Sequence, residues 1–220
     1  MDDGFIELIP ASGFEGWHHV TNWTNAADAT MDSAERSSIV IDEEGGGVLV
    51  SQKGDASNVQ TTSQFGDVEL HLEFMVPAGS NSGVYLQGRY EVQVLDSWGN
   101  PKPSFGDCGG IYERWDEARS PKGYEGHPPL INASRKPGHW QTYDIVFRAP
   151  RFDASGEKIA NARFEKVVHN GVLVHENLEL SGPTRGSLPS PSEVAQGPLM
   201  LQGDHGPVAY RNIRIRRIAE

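Results

Sequence analysis

Residues 81–99 read NSGVYLQGRYEVQVLDSWG, and this stretch decides the fold. Its period-2 alternation, rich in β-branched and aromatic residues, predicts one long β-strand. One face would carry Val84, Leu86, Tyr90, Val92 and Val94, and the other would carry Tyr85, Gln87, Arg89, Glu91 and Gln93. The second face is unusually polar. It is either simply exposed to water or the floor of a site for a polar ligand.

The rest of the chain has the composition of an all-β protein. The 220 residues suit a single domain, predicted here over residues 1–220. Glycine (25) and proline (14) are scattered along the chain, which favours short strands joined by loops over long helices. The segment DVELHLEFMVP alternates between apolar and acidic or histidine side chains, as a half-buried strand does. Asn170-Gly171 between two apolar alternations is a strong hairpin signal.

Two further segments shape the prediction. Ile39–Ile41 and Val48–Val50 flank Glu-Glu-Gly-Gly-Gly and predict another hairpin. Residues 97–138 form a long loop rich in glycine, proline and charge, and a loop of this length is usually functional. The expected architecture is a two-sheet antiparallel sandwich, in which one sheet can hold an extended ligand on its exposed polar face.

Charge and hydropathy exclude several classes of partner. The net charge of −11 gives the chain no electrostatic reason to bind nucleic acid or an anionic membrane. The sequence contains no stretch of about 20 apolar residues, so it predicts no membrane-spanning helix. The start MDDGFIELIP lacks a signal-peptide pattern. The expected location is nevertheless periplasmic or secreted, with a signal peptide that is not present in this chain. Cys108, the one cysteine, is expected to be a buried small residue rather than a nucleophile.

Several segments together resemble a known family. They are residues 81–99, CGGIY at 108–112, INASRKPGHWQTYDIVFRAPRFD at 131–153, VVHNGVLVHENLEL at 167–180 and GPLMLQGDHGPVAYRNIRIR at 197–216. In order and spacing they are similar to the 3-keto-disaccharide hydrolase domain family, across nearly the whole chain. The resemblance implies a concanavalin A-like jelly-roll sandwich and a carbohydrate substrate. The segment at residues 115–129 matches no pattern of the family, and we expect it to influence the choice of substrate or partner.

The resemblance also implies a reaction. A ketone at C3 of the sugar acidifies the proton at C2, so a base can remove it, and the resulting enolate expels the C1 substituent before water adds. The chemistry requires a base, a stabiliser for the enolate oxygen and an acid for the leaving group. It differs from ordinary glycosidase chemistry, which uses paired carboxylates.

The sequence offers candidates for each role. Glu91 and His205 are the predicted acid/base pair, and Arg89 faces developing negative charge, although it could instead form an ion pair with Glu91. Predicted sugar-binding residues are the amides of Gln87, Gln93 and Gln202, the stacking rings of Tyr85 and Trp98, and Asp96 and Asn132. For these, purely local roles compete: His205 in its glycine-flanked turn, Asp96 as a turn cap, and Asn132 as an ordinary loop residue.

A divalent cation, calcium or a transition metal, is a further possibility, because it would stabilise an enolate. No tight ligand spacing in the sequence specifies one.

Two other functions compete with the enzyme. A non-catalytic carbohydrate-binding module could use the same sandwich, with stacking rings and amides but no activated acid or base. An ordinary glucanase would place acids at Glu-x-Asp-x-x-Glu, whereas this chain has Gln93 at the central position, between Glu91 and Asp96. Glu91→Gln would keep the shape and remove the predicted base, so a module should keep its affinity and an enzyme should lose turnover. The oligomeric state stays open.

Overall fold

The computed structural model describes residues 4–188 and 193–219, which contain strands and loops and no α-helix. The strands are β1 (Ile6–Glu7), β2 (Trp17–His18), β3 (Trp23–Ala26), β4 (Ala29–Met31), β5 (Ile39–Ile41), β6 (Val48–Ser51), β7 (Val59–Thr61), β8 (Val68–Met75), β9 (Asn81–Leu86), β10 (Tyr90–Leu95), β11 (Arg114–Trp115), β12 (Gly123–Tyr124), β13 (Gln141–Arg148), β14 (Arg151–Phe152), β15 (Lys158–Ala160), β16 (Ala162–His169), β17 (Val172–Leu180), β18 (Met200–Leu201) and β19 (Val208–Arg217). Within this part of the chain, nothing has the helical length and hydropathy needed to cross a membrane.

Two antiparallel sheets form the body of the protein. The larger has eight strands, in the order β17-β16-β13-β8-β19-β6-β3, with β1 also paired to β19. The smaller has five strands, in the order β10-β9-β18-β7-β2, and three two-stranded ribbons lie outside both. The all-β, two-sheet antiparallel sandwich predicted from the sequence is confirmed.

The core lies between the two sheets. The residues of β9 and β10 that belong to it show which face of these strands points inward. From the larger sheet, the buried alternating residues of β8, such as Leu70 and Phe74, belong to the core cluster. From the smaller sheet, Val84, Val92 and Val94 belong to the same cluster. Because side chains alternate along a strand, the neighbouring positions of β9 and β10 must lie on the outer face of the smaller sheet.

The opening stretch forms two strands rather than the single long one expected. β9 and β10 pair antiparallel, with Tyr85 opposite Glu91 and Gly83 opposite Gln93. The chain reverses at Gln87 and Gly88, whose φ angles of 55° and 64° are left-handed. The sequence did not indicate this turn, because glutamine rarely adopts such a φ. The Asn170-Gly171 hairpin between β16 and β17 forms as predicted.

The predicted pairing of Ile39–Ile41 with Val48–Val50 is wrong. β5 pairs with β4 in a small ribbon, and β6 pairs with β3 and β19 in the larger sheet. The three glycines between them, Gly45 to Gly47, all have positive φ and lead the chain from one sheet to another instead of closing a hairpin.

Two loop segments extend the smaller sheet beyond β10 and cover its outer face. The backbone N–H of Gln93 donates to the Gly110 carbonyl at 2.8 Å, and the backbone carbonyl of Gln93 accepts from the Gly109 N–H at 2.9 Å. At the hairpin end, the Thr184 amide donates to the Arg89 carbonyl at 2.9 Å. These segments convert a polar sheet surface into a walled cleft.

Candidate active site

A cleft of about 350 Å³ lies on the outer face of the smaller sheet. Its lining consists of residues from β9, β10, the covering loops and the loop that follows β18: Asn81, Tyr85, Glu91, Gln93, Tyr112, Arg185, Gly186, Gln202 and His205. Five of these, namely Tyr85, Glu91, Gln93, Gln202 and His205, are candidates named from the sequence. The polar face of the opening stretch therefore forms the floor of a cleft.

Glu91 occupies the floor because its strand neighbour leaves room for it. Gly83 lies on the adjacent strand, and a Cβ atom there would overlap the Glu91 carboxylate and come within 2.9 Å of the Tyr85 ring. Only a residue without a side chain lets the carboxyl group lie flat over the sheet at this point. The glutamate is consequently only 3% exposed.

Burial determines the protonation state of Glu91. Loss of hydration, together with the smaller effect of the negative charge of Asp204, raises the pKa of this carboxyl from 4.5 to about 8. A hydrogen-bonding interaction with Tyr85 works in the opposite direction and lowers the pKa. At neutral pH the group is therefore mostly protonated and can donate a proton.

Two phenols flank the glutamate. Tyr85 is 1% exposed, and burial followed by the charge of Glu91 raises the pKa of its hydroxyl far above 10. Gly186, at a φ of +81°, approaches so closely that a Cβ there would lie 2.8 Å from the Tyr85 hydroxyl oxygen. Burial and the charge of Glu91 also raise the pKa of Tyr112. Both phenols are therefore neutral hydrogen-bond donors.

His205 lies at the rim of the cleft and is paired with its neighbour. Its Nδ1 atom lies 2.6 Å from Asp204 Oδ1, and its side chain is 52% exposed. A carboxylate at Nδ1 favours the tautomer with the proton on that nitrogen, which leaves the lone pair on Nε2. The pair has the composition of an oriented general base.

Arg185 brings a cation to the cleft from the loop after β17. Its guanidinium lies 4.0 Å from the centroid of the Trp115 ring, and its backbone amide donates to the Glu113 carbonyl at 2.8 Å. Stacking on an aromatic ring orients a guanidinium without neutralising it. Arg185 therefore meets the requirement for a cation near developing negative charge that the sequence analysis assigned to Arg89.

Three amide side chains supply hydrogen-bonding groups. Gln93 Oε1 accepts from the Val94 amide at 3.1 Å, so its NH2 group is the part that is left for a ligand. Gln202 is 7% exposed, and its backbone groups bond β9 through Gly83 and Ser82. Asn81 Oδ1 is buried without a hydrogen-bond partner among the described residues. A buried acceptor of this kind in a cleft wall suits a ligand hydroxyl.

Comparison with known proteins identifies the family. The model of the 3-keto-alpha-glucoside-1,2-lyase-like domain matches residues 4–216. The chain belongs to this family. No curated protein sequence matches the chain significantly.

Solved structures similar to this family member come from Parabacteroides distasonis ATCC 8503. A candidate glycosyl hydrolase shares 29% identity with a TM-score of 0.71, over 98% of this chain and 84% of that one. A second shares 16% identity with a TM-score of 0.59, over 99% and 95% of the two chains. A third shares 22% identity with a TM-score of 0.53, over 92% and 99%. The last two show the fold alone; together with the family match, the first places this chain among carbohydrate-active proteins.

Two candidates from the opening stretch lie at the hairpin turn and outside the cleft lining. The side-chain Nε2 of Gln87 donates to the backbone carbonyls of Phe65 and Ala195, both at 3.1 Å. Arg89 Nη1 donates to the Gln87 carbonyl at 2.7 Å, and Arg89 is buried, at 4% exposure. The period-2 extrapolation placed both beside Glu91, but the left-handed turn redirects them. In this family member they stabilise the turn that aligns β9 with β10.

Three more candidates lie past the other end of β10. Asp96 and Trp98 line a separate cavity, and Asp96 Oδ2 accepts from the Gly79 amide at 2.9 Å, as a turn cap does. The Asn132 amide donates to the carbonyls of Ser97 and Asn100, at 2.6 and 2.9 Å. Asn132 therefore holds the loop that follows β10 and does not reach the cleft.

Sequence reasoning missed four lining residues, namely Tyr112, Asn81, Arg185 and its neighbour Gly186. Tyr112 ends the CGGIY segment, and Asn81 begins the opening stretch, so both lay inside segments that had already been singled out. Arg185 lies in a loop without a pattern that could have marked it. A divalent cation stays a prediction: the part of the chain that the structure describes contains no group of three or more His, Cys, Asp or Glu side chains arranged to hold one.

Proposed function

We propose that this protein cleaves 3-keto glycosides by removing the C2 proton, eliminating the C1 substituent and then adding water. The observation that carries the proposal is the pairing, in one sugar-sized cleft, of a buried glutamate that is mostly protonated at neutral pH with a solvent-exposed His–Asp pair. The protonated carboxyl is the group that can donate a proton, and the imidazole oriented through Nδ1 presents Nε2 as the atom that can accept one. The family match supports the substrate class.

The roles follow from these environments. His205 Nε2 takes the proton from C2, and the electron pair of that C–H bond moves to the ketone oxygen to form an enolate. The Arg185 guanidinium and the hydroxyl of Tyr112 stabilise the enolate oxygen, because both are donors that line the cleft. Glu91, predicted from the sequence as the base, takes the role of the acid.

The second half of the reaction uses Glu91. The enolate re-forms the C3 ketone and a C1–C2 double bond while the C1–O bond breaks, and the Glu91 carboxyl protonates the departing oxygen. Water then adds its hydroxyl to C1 and a proton to C2, which gives the 3-keto monosaccharide. Gln93, Gln202 and Asn81 hold the sugar hydroxyls during both halves.

A turnover assay in heavy water tests the proposal. We would incubate the protein with chromogenic 3-keto-α- and 3-keto-β-glucosides, each beside the unoxidised glucoside, with and without EDTA. Release from a keto substrate alone, with deuterium at C2 of the product, is the expected result; product incubated alone corrects for spontaneous exchange. Release without deuterium would refute elimination, and release from the unoxidised glucosides would indicate an ordinary hydrolase. The EDTA arm tests the divalent cation.

The competing function is a carbohydrate-binding module, for which the hydrogen-bonding amides of the cleft would suffice. Sugar binding without release from any of the substrates would favour it. A periplasmic or secreted location also stays a proposal, which fractionation of the native host would test.

A further inference from the structure

A second concave surface lies where the chain leaves β10. It encloses about 440 Å³ and is lined by Arg36, Ala78, Asp96, Trp98, Lys136 and Pro137. None of these residues lines the cleft that holds Glu91. The proposed reaction therefore leaves this second cavity without a role.

The main feature of the second cavity is an exposed indole ring. Trp98 is 53% exposed, whereas Trp17 and Trp23 are only 6% exposed in the core. A large, rigid ring kept at the surface offers a flat apolar area that the C–H face of a sugar can cover. The Lys136 ammonium lies over this ring, 5.0 Å from its centroid, which places a cation against one face of the indole.

The charge of the second cavity is opposite to that of the chain. Arg36 and Lys136 are both exposed, and neither forms an ion pair with any of the described residues. The acid of the lining, Asp96, accepts a hydrogen bond from the Gly79 amide at 2.9 Å. Two cations without an ion-pair partner in the described part of the chain lie beside an aromatic ring, on a protein with a net charge of −11, and they suit a ligand that is both ring-shaped and negatively charged.

The second cavity lies near the strand β9 that carries cleft residues. Asn81 lines the cleft and pairs with Leu95 at the end of β10, and the Asp96 amide donates to the Ser80 carbonyl at 3.0 Å. From Gln93 in the cleft to Asp96 is three residues, or roughly 10 Å at the rise of a β-strand. The second cavity therefore lies at the end of β10 that pairs with Asn81.

We propose that the cavity around Trp98 binds an anionic sugar residue of a glycan. The ring of the sugar stacks on Trp98, and its carboxylate lies between Arg36 and Lys136. This site is a binding site in its own right and does not depend on whether the cleft cleaves 3-keto glycosides.

A matched pair of ligands tests the proposal: a β-1,4-linked glucuronate tetramer and cellotetraose, which share linkage and length and differ in their carboxylates. Affinities would be measured by calorimetry at low salt. The indole signal of Trp98, assigned with Trp98→Phe, would be followed in ¹H–¹⁵N spectra to locate the bound ligand. We expect the acidic tetramer to bind about tenfold more tightly, since each exposed ion pair contributes a few-fold, and to shift the Trp98 signal.

Variants separate charge from stacking. The double variant Arg36→Gln/Lys136→Gln should bring the two ligands to equal affinity, and Trp98→Ala should weaken both at least about fivefold. Lys53→Gln is the control, because Lys53 is also exposed but lines neither cavity. Equal affinities in the wild type, a preference that survives the double variant, an unchanged Trp98 signal, or no binding of either tetramer would overturn the proposal.

Discussion

Replacing Glu91 by glutamine should have opposite effects on stability and on turnover. The carboxyl is 3% exposed and its pKa in the folded protein is about 8, against an ordinary value of 4.5. A group whose folded pKa is raised binds more protons in the folded state, so its contribution is fully favourable below about pH 4.5 and is lost as the pH rises toward 8. Glutamine has the shape of the protonated acid and carries no charge to bury.

The size of the effect follows from the two pKa values. At pH 7 the wild type must protonate Glu91 to fold, at a cost of roughly 3 kcal/mol, and above pH 9 the cost reaches roughly 5 kcal/mol. At pH 5 it is below about 1 kcal/mol. For a chain of this length, 3 kcal/mol corresponds to about 6–12 °C in the melting temperature. Glu91→Gln should therefore melt with the wild type at pH 5 and well above it at pH 8.

Turnover should change in the other direction. Loss of the proton donor is expected to lower kcat by about 100-fold or more on a keto substrate with a poor leaving group. The assay is thermal unfolding between pH 5 and 9 together with kcat over the same range, and the exposed Glu43→Gln is the matched control. Equal melting temperatures of Glu91→Gln and wild type at every pH would refute the burial argument, and unchanged kcat would refute the catalytic role.

The remaining predictions concern the surroundings of the acid and a structural ion cluster. Gly83→Ala should displace the Glu91 carboxylate and lower kcat at least about tenfold; wild-type kcat would contradict the close packing. His205→Asn should lower kcat about 100-fold, and wild-type kcat in this variant would point to another base. Glu91 must be protonated to act as the acid, so kcat should fall as the pH rises through its pKa. Asp204→Asn should move this fall to lower pH, because the charge of Asp204 raises the pKa of Glu91. The Asp67 carboxylate accepts hydrogen bonds from Arg148 and Arg151, at 3.0 and 2.6 Å, so Asp67→Asn should cost about 1–3 kcal/mol of unfolding free energy with kcat unchanged. Arginine partners lower the pKa of Asp67, so this stabilisation is present at neutral pH and disappears as the pH falls through the folded pKa; a chemical-denaturation series would show it.

Local periodicity predicted the sheets and one face of the cleft. The alternation in β8 and the Asn170-Gly171 turn are short-range signals, because the period of 2 and the left-handed turn each depend on adjacent residues. The same period placed Tyr85, Glu91 and Gln93 on one face, which the structure confirms. It failed at Gln87 and Arg89, because a left-handed glutamine interrupts the strand without a typical turn sequence.

The walls of the cleft depend on contacts between distant parts of the chain. Arg185 is 94 residues from Glu91 in sequence, and it faces the cleft because the Arg185 amide bonds the Glu113 carbonyl and the Thr184 amide bonds the Arg89 carbonyl. No local pattern encodes such pairings. The residues that form the floor of the cleft could be predicted from the sequence. The loops that form its walls became apparent only from the fold.

Asp204 connects the two halves of the proposed chemistry. Its carboxylate orients His205 through Nδ1 at 2.6 Å, and the same negative charge helps to keep Glu91 protonated inside the cleft. A single exposed acid thus orients the imidazole on one side and helps to keep the carboxyl on the other side protonated. A binding module has no use for this arrangement, since an ionised glutamate would accept hydrogen bonds from sugar hydroxyls better than a protonated one. The position of Asp204 therefore weighs toward catalysis more than any of the amides that both functions would share.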